Sequence, residues 1–588
     1  MEKFMDILSG EMRGTFEAAG YEPQLGKVML SNRPDLCEFQ CNGAMAGAKR
    51  YRKAPAAIAS EVAQKCRESR IWEEVEAVAP GFLNIKVSED FLAAYLREMG
   101  ADPHFGLDRP TRPRKVLMDY GGANVAKPLH IGHIRSAIIG ESLKRIFRYA
   151  GHEVIGDIHL GDWGLQMGLV ITEVRERQPD LVYFDEEYTG EYPKEAPFTI
   201  EELERIYPAA SVKSKEDANY KARAMEDTFK LQQGVRGYRA LWRHILEVSK
   251  EDLKRNYDSL NVEFDLWKGE SDVHELIPAM VSRMKEEGYA YESHGALVVD
   301  VAEASDTREI PPCIILKSDG ASLYQTTDLA TLTERMSLYC PDEIIYMTDK
   351  RQELHFEQVF RCARKTGLVT PQTKLRFVGF GTMNGRDGKP FKTRDGGVMR
   401  LENLIRETKE EMYRKICENR AISGEEAWEI ADTVGIAALK YADLSNQASK
   451  DYVFDIERFT SFEGDTGPYV LYTIVRIKSI LTRFREQGGE LAKVGLRPAG
   501  NPAQKQLMLL LARFSAMMEA ACEELAPHKV CAYVYELANT LNHFYHETKI
   551  LSEEDPEKKA GMIALLVLTQ DILETCIGVL GFSAPERM

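Results

Sequence analysis

The spacing of apolar and polar positions divides the chain into stretches of different character. After a Pro80–Gly81 turn, Leu83, Ile85 and Val87 alternate with Phe82, Asn84 and Lys86, the period of a half-buried strand. Ser88 is placed to cap a following helix, with Glu89 and Asp90 in its first turn. Residues 1 to about 100 therefore predict a small α/β unit. The run 101–115 holds three prolines, two of them closely spaced, and little periodicity, and reads as a linker. KVLMDY at 115–120 and HEVIGDIH at 152–159 are short apolar strands. Between them a helical pattern begins near Ile134, carries Ala137, Ile138 and Phe147 on or near one face, and stops at Gly151. Strand, loop, helix and strand in that order make a βαβ unit, which implies a parallel sheet. ALVVDV at 296–301, PCIILKS at 312–318, DEIIYMTD at 342–349 and KLRFVGF at 374–380 predict further strands, so the sheet domain runs from about 115 to about 395. The acidic-polar stretch 172–295, helical in patches and broken at EEYTGEYPKEAP, predicts an insertion between its two halves. Beyond 400 the pattern is helical almost throughout, with a helix over 461–485 and several amphipathic helices in 505–588.

Composition narrows this picture. The chain has 588 residues, 44% of them hydrophobic and 29% charged, which excludes disorder for the bulk and predicts three to four domains. A formal charge of −16 weighs against a DNA-coating protein, and no DNA partner is expected. The N-terminus lacks the basic start and apolar core of a secretory signal. The absence of 18 consecutive apolar residues predicts no transmembrane helix and no membrane partner. Of the ten cysteines only Cys37 and Cys41 are close, without a zinc-spaced second pair. The expectation is reduced thiols, no metal site and a cytoplasmic location.

The strongest chemical signal is NVAKPLHIGHIRS at 124–136. His130 and His133 flank Gly132 where a strand gives way to a helix, and a helix N-terminus offers free N–H groups and a positive dipole end. Two imidazoles there can donate to a triphosphate, Gly132 lets a base or ribose approach the backbone, and Lys127 adds charge. A second signal is GFGTMNGRDGKPFKTRDGG at 379–397, a glycine-rich loop carrying Arg386, Lys389, Lys392 and Arg394 that can clamp phosphates. Third, Asp119, Asn124, Tyr324, Asp328 and Gln352 are polar groups fit to hold a guanidinium or an amine. Tyr324 and Asp328 share a face if their segment is helical.

Across nearly its whole length the chain resembles the class I aminoacyl-tRNA synthetases, and among them the arginyl-tRNA synthetases. The resemblance rests on the tetrapeptide 130–133 within MDYGGANVAKPLHIGHIRS, on GDWGLQMG at 161–168, LYQTTDLA at 323–330 and RQELHFEQ at 351–358. It also rests on LSNQASKDYVFD at 444–455, FEGDTGPYVLY at 462–472 and HKVCAYVYELANTLNHFYHETKIL at 528–551. It implies a Rossmann-like catalytic domain that activates L-arginine with ATP–Mg²⁺ and transfers it to the 3′ end of tRNA(Arg), in a monomer without a dedicated protein metal site. It also implies that activation of arginine needs bound tRNA. Catalysis would rest on orientation and electrostatics rather than on a covalent nucleophile. The family's ATP histidines fall on His130 and His133 and its signature glycine on Gly132, with Lys127, Met383 and Lys392 also toward the nucleotide. Its arginine contacts fall on Asn124, Tyr324, Asp328 and Gln352, with an acidic partner at Asp119. Asp328 is expected to take the guanidinium and Asn124 the carboxylate or amine end.

Two departures stand out. Gly121-Gly122-Ala123 replaces the Ser-Ser-Pro often found before the asparagine. Pro390-Phe391-Lys392-Thr393 stands where the class has Lys-Met-Ser-Lys, leaving Lys389, Lys392 or Arg394 to supply the charge. The resemblance divides the chain into an N-terminal domain gripping the tRNA elbow (1–108), a catalytic domain (109–400), a connecting helical region (401–460) and an all-helical anticodon-binding domain (461–588). In the last of these, Tyr472 and Arg476 are placed to stack on a base and meet a phosphate. A class I synthetase for another amino acid would need zinc-spaced cysteines or a longer insertion. A nucleotidyltransferase leaves nearly 200 C-terminal residues without a role. A non-catalytic RNA-binding paralogue has no need to keep both imidazoles.

Overall fold

A computed structural model describes residues 1–318, 320–389, 399–419 and 424–588. The chain forms two compact units, one of residues 1–110, 462–579 and 583–588, the other of residues 111–461 and 580–582.

The second unit is built on a parallel four-stranded sheet in the order Lys374–Phe380, Glu343–Asp349, Lys115–Asp119, Glu153–Asp157. All four strands lie where the apolar runs place them. The connection after Lys115–Asp119 runs through the helix Ile131–Tyr149 to one side, and that after Glu343–Asp349 through the helix Glu353–Lys365 to the other. The order therefore reverses between the two central strands, and the crevice at their C-terminal ends is where such sheets bind ligands. Val116, Leu117 and Met118 are fully buried, as a strand covered on both faces requires.

One strand assignment is corrected. Ala296–Val299 and Cys313–Leu316 are strands, but they join Ala290–Ser293 in a separate antiparallel sheet. They follow a helical insertion and never reach the parallel sheet; a short apolar run does not announce which sheet it enters. The insertion itself is mostly helix, including Ile200–Glu216, Ala218–Gln232 and Arg236–Ser259. Thr199 caps the first of these in a reciprocal box with Glu202.

In the other unit, an antiparallel sheet ordered Val28–Leu30, Phe39–Cys41, Phe82–Val87, Trp72–Val78 keeps the expected alternation at 82–87. Ser88 accepts the Phe91 N–H at the next helix start. Lys505, on the helix Pro502–Leu511, reaches Glu38 and Glu73 at 2.7 and 2.6 Å. By length and composition alone the helix Pro556–Val579 could cross a membrane, yet its residues are mostly buried inside the unit. It is apolar on all sides because it is the core of the helical bundle: Ile563, Leu565, Leu566, Ile572 and Leu573 are fully buried.

Candidate active site

The loop leaving Lys115–Asp119 sets the geometry. Val125 N–H donates to Gly161 O and Gly161 N–H to Ala123 O, so the asparagine segment runs beside the GDWG segment. A Cβ on Gly161 would collide with Asn124 Oδ1, so only glycine leaves room for the Asn124 side chain.

His130 and His133 form an unusual helix start. His130 Nδ1 accepts the Gly132 N–H at 3.1 Å, His133 Nδ1 accepts the His130 N–H at 3.1 Å, and the ring centroids are 4.0 Å apart. A nitrogen that accepts carries no proton, so both rings keep theirs on Nε2 and present it as a donor. Burial, then the Lys127 charge, pushes the His130 imidazole below its ordinary range. Burial, then the neighbouring His130, takes His133 down to about 3. Both rings are neutral donors at physiological pH. A Cβ on Gly132 would lie 2.9 Å from the His130 ring, so the cap itself calls for this glycine.

The chain returns to this junction after the basic loop. Ile131 N–H donates to Met399 O and Leu401 N–H to Leu129 O, an antiparallel bridge that sets Arg400 opposite His130. Of the loop's cations, Arg386 is not available as a clamp: Asp455 holds it at 2.7 and 2.9 Å and Glu457 at 2.6 Å. Lys389 is exposed in a turn closed by Gly385 N–H to Lys389 O, and Met383 is buried in a short strand paired with Tyr452–Val453. Lys392 and Arg394 lie outside the described residues.

The side of the crevice that carries Tyr324 and Asp328 is acidic. Tyr324 and Asp328 do share a helix, Tyr324–Tyr339; Tyr324 is 75% exposed at its first turn. Asp328 Oδ2 meets His355 Nε2 at 2.5 Å, and Gln352, exposed, directly precedes the Glu353–Lys365 helix that carries His355. Glu270 opens a short helical turn, Glu270–Leu276, packed on the Tyr324 helix. Burial, then the charges of Asp162 and Asp328, drives its carboxyl up to about 8. Among the described residues no lysine or arginine is paired with these three carboxyl groups, so the crevice is complementary to a cation. Asp119 has a different partner from the one expected. The buried Arg335 guanidinium puts Nη2 2.6 Å from Asp119 and 2.7 Å from Asp157, with the Tyr346 ring beneath it. Asp119, Asp157 and His159 have metal-ligand spacing, but that arginine already bridges the two carboxylates.

Sequence reasoning missed Glu270, His355 and Arg335. His355 lay inside the RQELHFEQ segment and was legible as a polar group beside Gln352; Glu270 and Arg335 had no local signal, being brought in by the insertion and by a buried helix face.

In the other unit Arg476 lies over the Tyr472 ring at 4.9 Å and the Tyr545 ring at 5.2 Å, with Nη1 on Asn542 Oδ1. Tyr545 thus joins the expected pair, while its neighbour Phe544 is fully buried packing.

Comparison with known proteins fits this geometry. The family of class I tRNA synthetase (R) catalytic domains matches residues 105–456, the DALR anticodon binding domain residues 470–588, and the arginyl tRNA synthetase N terminal domain residues 5–87. An arginine–tRNA ligase of Agathobacter rectalis is 62% identical and one of Alkaliphilus oremlandii 56%, each over the full length of both chains. The crystal structure of arginyl-tRNA synthetase from Plasmodium falciparum shares the fold with a TM-score of 0.80 at 24% identity, covering both chains completely. The chain belongs to the arginyl-tRNA synthetases of class I.

Proposed function

We infer that the acidic crevice seats the arginine substrate, and that the neutral imidazole pair seats ATP. The enzyme is an arginine–tRNA ligase. In the first step an α-carboxylate oxygen of arginine attacks the α-phosphorus of ATP, a mixed anhydride forms and pyrophosphate leaves. In the second, a terminal ribose hydroxyl of tRNA attacks the carbonyl, loses its proton, and AMP leaves.

The roles follow from the charges. Asp328, steadied by His355, and Glu270 take the guanidinium. Asn124 addresses the carboxylate or amine end, and Tyr324 and Gln352 border it. The Nε2–H donors of His130 and His133, at a helix N-terminus, meet phosphate oxygens without adding a titrating charge. Lys127, and a cation of the 389–394 loop, offset charge on the departing pyrophosphate. Mg²⁺ enters with the triphosphate and offsets its charge; the chain's own cluster of metal-ligand spacing is bridged by Arg335. Arg476, within cation–π distance of two tyrosine rings, suits a tRNA base and its phosphate. Every residue assigned to arginine or ATP falls within residues 111–461, which supports a monomer; we place it in the cytoplasm.

The observation that carries the reading is the carboxyl cluster of Glu270, Asp328 and Asp162, in the same unit as the two neutral imidazoles. Pyrophosphate exchange, run with each amino acid with and without tRNA, tests it. Arginine-specific exchange that requires tRNA is the expected result; exchange driven by another amino acid, or none with arginine plus tRNA, overturns it.

A further inference from the structure

Lys127 acts on the imidazole pair, Arg400 is bridged to it through the backbone, and one helix of the insertion holds both cations. Lys127 lies three residues before His130, and Arg400 is the partner of His130 across the backbone bridge. Glu204 and Tyr207 are three apart on the helix Ile200–Glu216, hence neighbours on one face. Glu204 binds Arg400 at 2.6 Å, and the Lys127 ammonium sits 4.3 Å from the Tyr207 ring centroid. The helix is fixed further along, where Lys213 reaches Glu173 at 2.8 Å, and Tyr207 itself packs against the buried cluster of Leu169, Ala210, Tyr220 and Ala224.

The two contacts differ in kind. A carboxylate neutralises Arg400. A ring face attracts an ammonium while leaving its charge whole and its N–H groups free to donate elsewhere. Among the described residues no carboxylate is paired with Lys127. Its charge is felt at both His130 and His133.

We propose that Tyr207 is a positioning residue for ATP: its ring holds the Lys127 ammonium beside the imidazole pair, charged and ready for the triphosphate, while Glu204 on the same helix face holds Arg400. The insertion thus serves the nucleotide. This rests on the assignment of Lys127 to the ATP phosphates.

The test is a double-mutant cycle in arginine- and tRNA-dependent pyrophosphate exchange, using full-length Lys127→Ala, Tyr207→Leu, Tyr207→Phe and the Lys127→Ala/Tyr207→Leu double variant. Tyr207→Leu is expected to raise the KM for ATP about three- to fivefold, with kcat and the KM for arginine within about twofold. Tyr207→Phe, which keeps the ring, stays near the parent. In the Lys127→Ala background Tyr207→Leu adds nothing. If Lys127→Ala raises the KM for ATP but Tyr207→Leu does not, or if Tyr207→Leu adds its full effect without Lys127, the proposal is overturned and the Lys127 assignment stands. If Lys127→Ala leaves that KM unchanged, the assignment itself fails and the proposal with it. Equal loss in Tyr207→Leu and Tyr207→Phe also overturns it, because the ring would then not be the holding group.

Discussion

Removing Glu270 as a titrating group should change how arginine binding depends on pH. Its carboxyl is driven to about 8 by burial and by Asp162 and Asp328. The guanidinium needs the ionised form, so at pH 7 the free site is about one-tenth competent, and at pH 6 about one-hundredth. Arginine affinity should therefore improve about ninefold from pH 6 to pH 7, and binding at pH 7 should release nearly one proton per arginine. Calorimetric titration of arginine in two buffers of different ionisation heat reads both quantities. Glu270→Gln should flatten the pH dependence and abolish the proton release. It should also weaken binding at pH 8 by about 2 kcal/mol, roughly thirtyfold, the scale of a charge-assisted hydrogen bond. The sign for stability is opposite. A carboxyl whose folded pKa lies above its unfolded value binds more protons when folded, so stability falls as pH rises from about 4.5 to about 8. Glu270→Gln should melt higher than the parent at pH 8, with the gap closing toward pH 5. A parent that binds arginine with the same affinity at pH 6 and pH 7 and releases no proton refutes the reasoning.

Three further substitutions probe the framework. Gly161→Ala drives a methyl group into Asn124 Oδ1 and should raise the KM for arginine at least tenfold while the urea midpoint moves little. Arg335→Met leaves Asp119 and the buried Asp157 facing each other without a cation, and should cost about 3–5 kcal/mol in urea unfolding. Arg386→Ala should leave the KM for ATP within about twofold of the parent, because Asp455 and Glu457 already hold that guanidinium away from any phosphate; a large rise would restore it to the clamp.

The parallel sheet was legible because its strands are buried on both faces and so stand out as apolar runs bounded by turns. The imidazole pair was legible because its spacing falls at a strand-to-helix junction. What periodicity does not encode is which distant segments meet. Ala296–Val299 has the composition of a sheet strand, yet its partners are set by the hairpin with Ala290–Ser293. Asp119 reads as a substrate ligand until Arg335 arrives from a helix more than 200 residues away. Glu270 has an ordinary local sequence and acquires its character only from burial beside Asp162 and Asp328. The Pro556–Val579 helix shows the same limit, since only its packing separates a bundle core from a membrane span.

The most direct test of the account is a crystal structure of the enzyme with arginine and a non-hydrolysable ATP analogue. The account predicts the guanidinium within hydrogen-bond distance of both the Asp328 and Glu270 carboxylates, and phosphate oxygens on the Nε2 atoms of His130 and His133. A guanidinium seated away from both carboxylates, or a triphosphate that leaves both imidazoles untouched, would contradict it.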